Sequence, residues 1–345
     1  MTDHILWKDG SLYLLDQRLL PFKKVYVRCI GLKDVVRVIN NMTIRGAPLI
    51  GIVAAYGVAL GIKEVITSKG HFKDIDMDRI CDKLGKTRPT AVNLFWALSR
   101  MNDAFHRYKK SSEILDLMLD EAISIHVEDI ENNRKLSIYG AELIDDGDVI
   151  LTHCNAGALA TGGYGTALGV IRAAHESGKR IKVIATETRP YLQGARLTAF
   201  ELHEEGIEVE LVPDNHVGFL CYNKVVNKVI VGADRVASNG DVANKIGTYM
   251  IALATYQHRI PFYVAAPVST FDKNIKNGAS IEIEERDGRE VKYLRGNLLT
   301  LKDIKARYYS FDVTPAKYIT AMITEKGMVE KPYRKNIKML FPQER

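Results

Sequence analysis

The pattern of hydrophobic and polar residues changes at Val149. Before it, residues 5–29 alternate apolar and polar positions between turn signals, which predicts a few short strands. Residues 32–147 carry apolar positions at helical spacing, which predicts a series of helices. From Val149 onward, short β-branched runs alternate with helical segments. This alternation predicts right-handed crossovers and a parallel sheet.

The alternating region sets the predicted fold class. Strands are predicted over residues 149–152, 181–186, 209–212, 228–231 and 262–266, and helices over 166–177, 192–205, 245–258 and 316–326. The chain is therefore expected to be an α/β protein with two domains. A small N-terminal domain of short strands and helices, residues 1–122, precedes a Rossmann-like domain with a doubly wound parallel sheet, residues 123–345.

Composition narrows the functional classes. The 345 residues suffice for two domains, and the hydrophobic share of 46% and charged share of 26% are typical of a soluble globular protein. A net charge of +6 without a basic block suits a small anionic substrate and does not require nucleic acid. The charged N-terminus indicates no signal peptide, and the apolar run 49–62 is glycine-interrupted and short for a bilayer span. We expect a cytoplasmic protein that does not bind membranes.

The loop after the first strand of the alternating region is the leading candidate for chemistry. It is rich in glycine, contains Cys154 at its first corner and leads into a predicted helix. A glycine-rich turn at a helix start is expected to aim backbone N–H groups at an anion, and the helix dipole favours a thiolate. The other three cysteines are widely spaced and are expected to be buried structural residues.

Polar residues follow four of the five predicted strands of the sheet. In chain order they are Cys154, Glu187-Thr188-Arg189, Asp214-Asn215-His216 and Asp234-Arg235. Because ligands of such sheets bind at the carboxyl ends of the strands, these residues predict one active-site cleft. Asp234 follows an all-apolar strand, where partial burial favours a protonated carboxyl, although it could instead cap a turn or pair with Arg235. No further His or Cys stands at ligand spacing from Asp214, so we expect no metal.

Three basic residues stand next to predicted helix starts. The blocks that contain them are Arg45-Gly46-Ala47-Pro48, Thr87-Arg88-Pro89-Thr90 and Asn244-Lys245. A cation beside the N–H groups of a first helical turn suits a phosphate. The alternative is a capped helix with a solvated basic side chain, which is the commoner arrangement.

A nicotinamide dehydrogenase is the main alternative of similar fold. Its fingerprint G-x-G-x-x-G is not met, because Gly163 and Gly165 fit the first two places but Leu168 occupies the third. We therefore expect no dinucleotide cofactor.

Several sequence blocks carry a resemblance to a known family. Besides the Arg45 and Arg88 blocks, they are residues 152–161 (THCNAGALAT), 187–202 (ETRPYLQGARLTAFEL), 232–248 (GADRVASNGDVANKIGT) and 311–315 (FDVTP). Over nearly its whole length the chain resembles the methylthioribose-1-phosphate isomerases. These belong to the superfamily of the ribose-1,5-bisphosphate isomerases and of the alpha, beta and delta subunits of translation initiation factor 2B.

The resemblance implies roles for individual residues. Cys154 and Asp234 would be catalytic, and the substrate would contact Arg45, Gly46, Ala47, Arg88, Gln193, Asn244 and Lys245. It also implies a homodimer that acts in methionine salvage on a small phosphorylated sugar, without metal or cofactor.

The implied reaction is an aldose-to-ketose isomerisation of a sugar 1-phosphate, which needs an acid and a base or thiolate. Whether the hydrogen moves from C2 to C1 as a proton or as a hydride is left open. Related substrates are 5-deoxyribose 1-phosphate and ribose 1,5-bisphosphate, and a non-catalytic regulatory subunit is the alternative of another class. The predicted helix after Arg45 carries small apolar side chains. They suit the wall of a pocket for a thioether group or, alternatively, simple packing against other helices.

Overall fold

The computed structural model describes residues 3–341, which fold into two compact units. The first unit comprises the chain up to residue 133 together with residues 158–165. The second unit comprises residues 134–157 and the chain from residue 166 onward. The chain therefore leaves the second unit, contributes a short glycine-rich loop to the first, and returns.

The first unit has an antiparallel three-stranded sheet, in the order β1-β2-β3, and a set of helices. Its elements in chain order are β1 (Ile5–Lys8), β2 (Ser11–Leu15), β3 (Tyr26–Cys29), α1 (Leu32–Asn40), α2 (Ala47–Lys69), α3 (Asp74–Gly85), α4 (Val92–Tyr108) and α5 (Ile114–Ala141). Short strands followed by helices agree with the periodicity of the sequence. The predicted division after residue 122 and the division between the units after residue 133 both fall inside α5, because this helix contributes residues to both units.

The helix α2 forms the centre of the first unit. Leu49, Ile50 and Val53 are at most 2% exposed and belong to its hydrophobic core. At Gly51 an added Cβ would lie 2.6 Å from the carbonyl oxygen of Asn93, so glycine is needed for the close approach of α4. Within residues 3–341, α2 is the one helix long and apolar enough to cross a membrane, but most of it is buried in this core. Helix packing therefore accounts for the apolar residues that suggested a thioether wall.

The second unit is built on a seven-stranded sheet in the order β18-β17-β10-β7-β4-β5-β6, accompanied by a four-stranded sheet in the order β11-β8-β9-β16. Its strands are β4 (Val149–Thr152), β5 (Lys182–Thr186), β6 (Glu208–Val212), β7 (Lys228–Val231), β8 (Arg235–Ala237), β9 (Val242–Lys245), β10 (Phe262–Ala265), β11 (Phe271–Asp272), β12 (Glu285–Arg286), β13 (Tyr293–Leu294), β14 (Asn297–Leu298), β15 (Tyr308–Tyr309), β16 (Phe311–Thr314), β17 (Ala321–Thr324) and β18 (Gly327–Val329). Its remaining helices are α6 (Ala167–Glu176), α7 (Ala199–Glu204), α8 (Val217–Tyr222), α9 (Thr248–Gln257), α10 (Arg289–Lys292) and α11 (Tyr333–Met339).

The large sheet has a topological switch point at β4. From β4, the strand order across the sheet runs through β5 to β6 at one edge and through β7 and β10 to β17 toward the other edge. All six strands are parallel. Only β18, at the edge, is antiparallel to its neighbour. The α/β fold class with a parallel, doubly wound sheet is thus confirmed, and such a switch point is where ligands of these sheets bind.

Two of the predicted helices differ from the structure. The helix predicted over residues 316–326 is wrong, since residues 321–324 form the buried strand β17, whose apolar and β-branched side chains fit between β10 and β18. The helix predicted from Lys245 begins three residues later at Thr248, because Lys245 ends β9 and Gly247 adopts φ +105°. The small sheet around β9 has no counterpart in the predicted elements, since its strands are short.

A buried histidine of the first unit gives a testable pH dependence. The Nε2–H group of His4 donates to the carbonyl oxygen of Thr161 at 2.8 Å, and burial lowers the pKa of His4 to about 4. The unfolded chain therefore binds more protons than the folded one between pH 6.5 and 4, so stability is lost as the pH falls through this window. We expect this residue to account for up to about 3 kcal/mol of the loss.

The measurement is the free energy of unfolding by denaturant from pH 7.5 to 4 for wild type and His4→Gln. The variant keeps an N–H donor for Thr161 but does not titrate, so its profile should be flatter. His203→Gln, at an exposed position on α7, is the control and should follow wild type. Parallel profiles for wild type and His4→Gln would rule out this role of His4.

Candidate functional site

The backbone at Cys154 departs from ordinary strand geometry. Cys154 lies two residues beyond the end of β4 and has φ +63°, in the left-handed region. This conformation costs a residue with a Cβ atom about 1–2 kcal/mol. The N–H group of Cys154 donates to Thr188 Oγ1 at 2.9 Å, and its carbonyl oxygen accepts a bond of 2.5 Å from Thr198 Oγ1. Two threonines of the segment after β5 thus hold Cys154 at the carboxyl edge of the sheet.

Contrary to the prediction, two N–H groups at the helix start after the glycine-rich loop are not available to a ligand. The N–H groups of Thr166 and Leu168, in the first turn of α6, donate to the carbonyl oxygen of Ala156 at 3.0 and 3.2 Å. The protein itself therefore satisfies these donors. The predicted anion corner is therefore wrong for these two groups.

Of the other three cysteines, Cys29 and Cys221 are buried, whereas Cys81 is half-buried like Cys154. Burial raises the pKa of Cys29 to about 12 and the pKa values of Cys81 and Cys221 to about 11. These thiols stay protonated and unreactive at neutral pH, which agrees with the structural role predicted for them.

Asp234 lies on the neighbouring strand tip, after β7. Its N–H group donates to the carbonyl oxygen of Ala243 at 3.0 Å, and its side chain is half-buried. A Cβ added at Gly232 would lie 2.8 Å from the Cβ of Ala156, so the turn that leads to Asp234 packs against the loop that follows Cys154. The candidate thiol and carboxyl therefore stand on two loops that touch at the switch point.

His153 connects three parts of this edge. It is 2% exposed; its Nδ1 accepts from Thr186 Oγ1 at 2.6 Å, and its Nε2–H donates to the carbonyl oxygen of Ile246 at 2.8 Å. Burial lowers the pKa of His153, which keeps the ring neutral. Both ring nitrogens are thus hydrogen-bonded, and His153 links the ends of β4 and β5 to the turn between β9 and α9.

Lys245 is a buried cation at the end of β9. It is 7% exposed, its Nζ lies 3.4 Å from the Tyr308 hydroxyl, and it stands 4.6 Å from the centre of the Phe311 ring. It forms no ion pair with a carboxylate of residues 3–341. A buried ammonium group without a carboxylate is costly, so this position suits an anionic ligand. Its neighbour Asn244 is also buried and donates to Thr248 Oγ1 at 3.1 Å.

Asp312, on β16, was not among the candidate residues. Its carboxylate accepts bonds from the N–H groups of Gly247 (2.7 Å) and Tyr249 (3.0 Å), and so caps the start of α9. Burial raises the pKa of Asp312 to about 6, while these bonds and the nearby Lys245 act in the opposite direction. The one sequence signal for Asp312 is the FDVTP block. The start of α9 is thus occupied by Asp312, and the prediction that Lys245 opens the helix is wrong.

Gln193 presents an unsatisfied acceptor. It is 3% exposed, and its Oε1 is buried without a hydrogen-bond partner among residues 3–341. A π-helical turn, Gly194–Thr198, follows directly. A Cβ at Gly194 would lie 1.7 Å from the carbonyl oxygen of Thr186, so only glycine fits there. An unsatisfied buried amide beside a π-helical turn is typical of a ligand site.

The remaining candidates lie in the first unit. Arg45 is 5% exposed, and its Nε donates to Gln17 Oε1 at 3.2 Å. Gly46 has φ +107°, and a Cβ there would lie 2.5 Å from the carbonyl oxygen of Ala160. Ala47 begins α2, and Arg88, in the turn before α4, has its Nη1 3.4 Å from the sulfur of Met42. Arg45, Gly46, Ala47 and Arg88 are thus grouped around residues 42–47.

The other predicted residues belong to the second unit. Cys154, Gln193 and Asp234 follow strands of the large sheet at its carboxyl edge, whereas Asn244 and Lys245 lie at the end of β9 in the four-stranded sheet. The bond from His153 to the carbonyl oxygen of Ile246 joins the two sheets there. Within residues 3–341, no group of three or more His, Cys, Asp or Glu side chains is arranged to hold a metal ion. A thiol and a carboxyl at the edge of the large sheet, with a buried cation on the neighbouring small sheet, can perform acid–base chemistry on a phosphorylated molecule.

Comparison with known proteins agrees with this fold. Residues 43–331 match the model of the initiation factor 2 subunit family. The methylthioribose-1-phosphate isomerase of Thermosipho africanus is 53% identical over 98% of this chain and 97% of its own length. The crystal structure of 5-methylthioribose 1-phosphate isomerase from Pyrococcus horikoshii has a TM-score of 0.90 at 43% identity, with 99% of this chain and 96% of that one covered.

A second solved structure carries a different description. It is translation initiation factor eIF-2B, subunit delta, from A. fulgidus, with a TM-score of 0.86 at 43% identity, and 99% of each chain is covered. The chain belongs to the initiation factor 2 subunit family and, within it, to the methylthioribose-1-phosphate isomerases.

Proposed function

We propose that the protein converts 5-methylthioribose 1-phosphate, an aldose, into 5-methylthioribulose 1-phosphate, a ketose. The observation that carries this proposal is the pairing of Cys154 and Asp234 on touching loops at the switch point, in a chain that is 53% identical to an isomerase of this name. It is therefore an intramolecular oxidoreductase that needs no external electron acceptor, since the oxidation at C2 balances the reduction at C1.

The substrate dictates what Cys154 and Asp234 must do. The phosphate on the anomeric oxygen prevents spontaneous ring opening, so an acid has to protonate the ring oxygen as its bond to C1 breaks. One hydrogen then moves from C2 to C1, and the C2 hydroxyl becomes the carbonyl of the ketose by giving its proton to the base that the acid has become. We assign the acid to Asp234, whose half-buried carboxyl follows β7 at the switch point, and the transfer at C2 to the Cys154 side chain.

The substrate contacts are proposed on the same resemblance. Lys245, Arg45 and Arg88 would bind phosphate and hydroxyl oxygens, because each carries a cation within or beside a buried segment. Gln193 and Asn244 would bind hydroxyl groups, and Gly46 and Ala47 would present backbone groups at the start of α2.

A regulatory subunit that binds a sugar phosphate without chemistry is the second candidate. It is favoured by the similarity to the A. fulgidus protein described as an initiation factor subunit. A regulatory subunit requires neither a reactive thiol nor a neighbouring carboxyl, and this chain has both. We further propose that the protein is a homodimer in the cytoplasm and acts in methionine salvage.

The experiment that tests the proposal is a comparison of kcat/KM for three sugar phosphates. 5-Methylthioribose 1-phosphate should be the best substrate, with 5-deoxyribose 1-phosphate about tenfold lower, which is what one small apolar group contributes. Ribose 1,5-bisphosphate should be at least about a thousandfold lower, because a second phosphate needs its own cluster of cations.

The outcomes separate the alternatives. A preference for the bisphosphate would overturn the substrate assignment while leaving the fold untouched. Absence of turnover with all three sugars, together with measurable binding of any of them, would favour the regulatory subunit.

A further inference from the structure

Two buried side chains bind the backbone of Cys154. Its N–H group donates to Thr188 Oγ1 at 2.9 Å, and its carbonyl oxygen accepts from Thr198 Oγ1 at 2.5 Å. Both threonines are completely buried. The left-handed conformation of Cys154 therefore depends on two hydroxyl groups that water cannot replace.

Thr188 is itself anchored to the next loop of the sheet edge. Its N–H group donates to Asp214 Oδ1 at 2.7 Å, its φ is +62°, and its hydroxyl group donates to the carbonyl oxygen of Thr186 at 3.3 Å. The hydroxyl oxygen is thereby left to accept the bond from Cys154.

Thr198 is anchored by a buried charged network. Its Oγ1 accepts from Asn155 Nδ2 at 3.2 Å, and the same Nδ2 donates to Glu201 Oε1 at 2.8 Å. Glu201 lies 3.6 Å from Arg172, and both are at most 5% exposed. The π-helical turn that ends at Thr198 places its hydroxyl group between Asn155 and Cys154. Both threonines therefore stand on rigid parts of the second unit.

We propose that Thr188 and Thr198 are positioning residues that hold the Cys154 thiol in its reactive location by fixing the left-handed backbone of Cys154. This inference rests on the proposed function, in which Cys154 acts at C2 of the substrate. Without the two hydroxyl groups, Cys154 relaxes toward the conformations that residues with a Cβ atom prefer, and the thiol moves. A shift of about 1 Å at a reacting group can lower turnover by about 100-fold.

The test compares Thr188→Val and Thr198→Val with Thr188→Ser and Thr198→Ser, assayed with 5-methylthioribose 1-phosphate. Valine keeps the shape of threonine but removes the hydroxyl group, whereas serine keeps the hydroxyl group. We expect kcat to fall at least tenfold in each Val variant while KM changes less than threefold. Each Ser variant should recover kcat to within threefold of wild type.

Thr255→Val is the matched control. Thr255 is also completely buried, but its hydroxyl group bonds to Ile251 and Ala252 within its own helix, α9. This variant should keep wild-type kcat even if its melting temperature falls. If a Val variant does not fold, Thr188→Ala or Thr198→Ala, which also lack the hydroxyl group, is compared with the Ser variant instead.

Two results would overturn the inference: Val variants that turn over as fast as Thr255→Val, or Ser variants as slow as the Val variants. Cys154→Ser, assayed in parallel, separates this inference from the proposed function. If Cys154→Ser is inactive while the Val variants are active, only the positioning role fails. If Cys154→Ser stays active, the catalytic role of Cys154 fails and the positioning role fails with it.

Discussion

Cys154→Ser and Asp234→Asn should each lower kcat by about a thousandfold or more, while the folded structure persists. That loss corresponds to about 4 kcal/mol of transition-state stabilisation, which is the scale expected when an acid–base group is removed. Both residues are half-buried, and the bonds to Thr188 and Thr198 come from the backbone of Cys154, which either substitution leaves in place. Circular dichroism and the melting temperature should therefore stay close to wild type.

Two other positions in the second unit serve as matched controls. Cys221→Ser replaces a buried cysteine of α8 and should lower stability by about 1–3 kcal/mol, because it buries a hydroxyl group, while turnover is kept. Asp272→Asn weakens the pairing with Arg235, which lies 3.8 Å away, and should also keep turnover. Near-normal turnover of Cys154→Ser or Asp234→Asn would remove the catalytic role of that residue.

Lys245→Met should abolish most activity without lowering stability. Lys245 is buried between Tyr308 and Phe311 and forms no ion pair among residues 3–341. The nearby Asp312 carboxylate already accepts two N–H bonds at the start of α9, so the ammonium group is only partly compensated in the free protein. Methionine has a similar shape and carries no charge to desolvate. We expect kcat/KM to fall by about 100-fold or more, as for loss of a buried charge-assisted contact. The free energy of unfolding should equal or exceed that of wild type.

Lys317→Met is the control for this substitution. Lys317 also lies over a tyrosine ring, at 4.8 Å from the centre of Tyr318, but it is exposed. Its loss should change kcat/KM by no more than a factor of about two. It should change the free energy of unfolding by no more than a few tenths of a kcal/mol. A clear loss of stability in Lys245→Met with retained activity would show that Lys245 serves the fold and not the substrate.

The sequence-based predictions succeeded where the information is local. The strands 149–152 and 228–231 were predicted at their observed bounds, because each is a short apolar run bounded by turn residues. The position of Cys154 and Asp234 at strand ends followed directly. The helix predicted over residues 316–326 was wrong because its apolar residues fit a helix or a buried strand equally, and only β10 and β18 on either side decide for the strand.

By itself, the sequence determined the α/β class, the parallel sheet and the strand ends that carry Cys154 and Asp234, since strand and helix periodicities are properties of neighbouring residues. Only the tertiary structure decided the conformation of Cys154, which depends on hydroxyl groups 34 and 44 positions away. Only it revealed that Asp312, 65 positions from Gly247, caps α9 and occupies the helix start assigned to Lys245. These bonds join segments that no local pattern relates, because the sheet brings them together only when its strands have assembled.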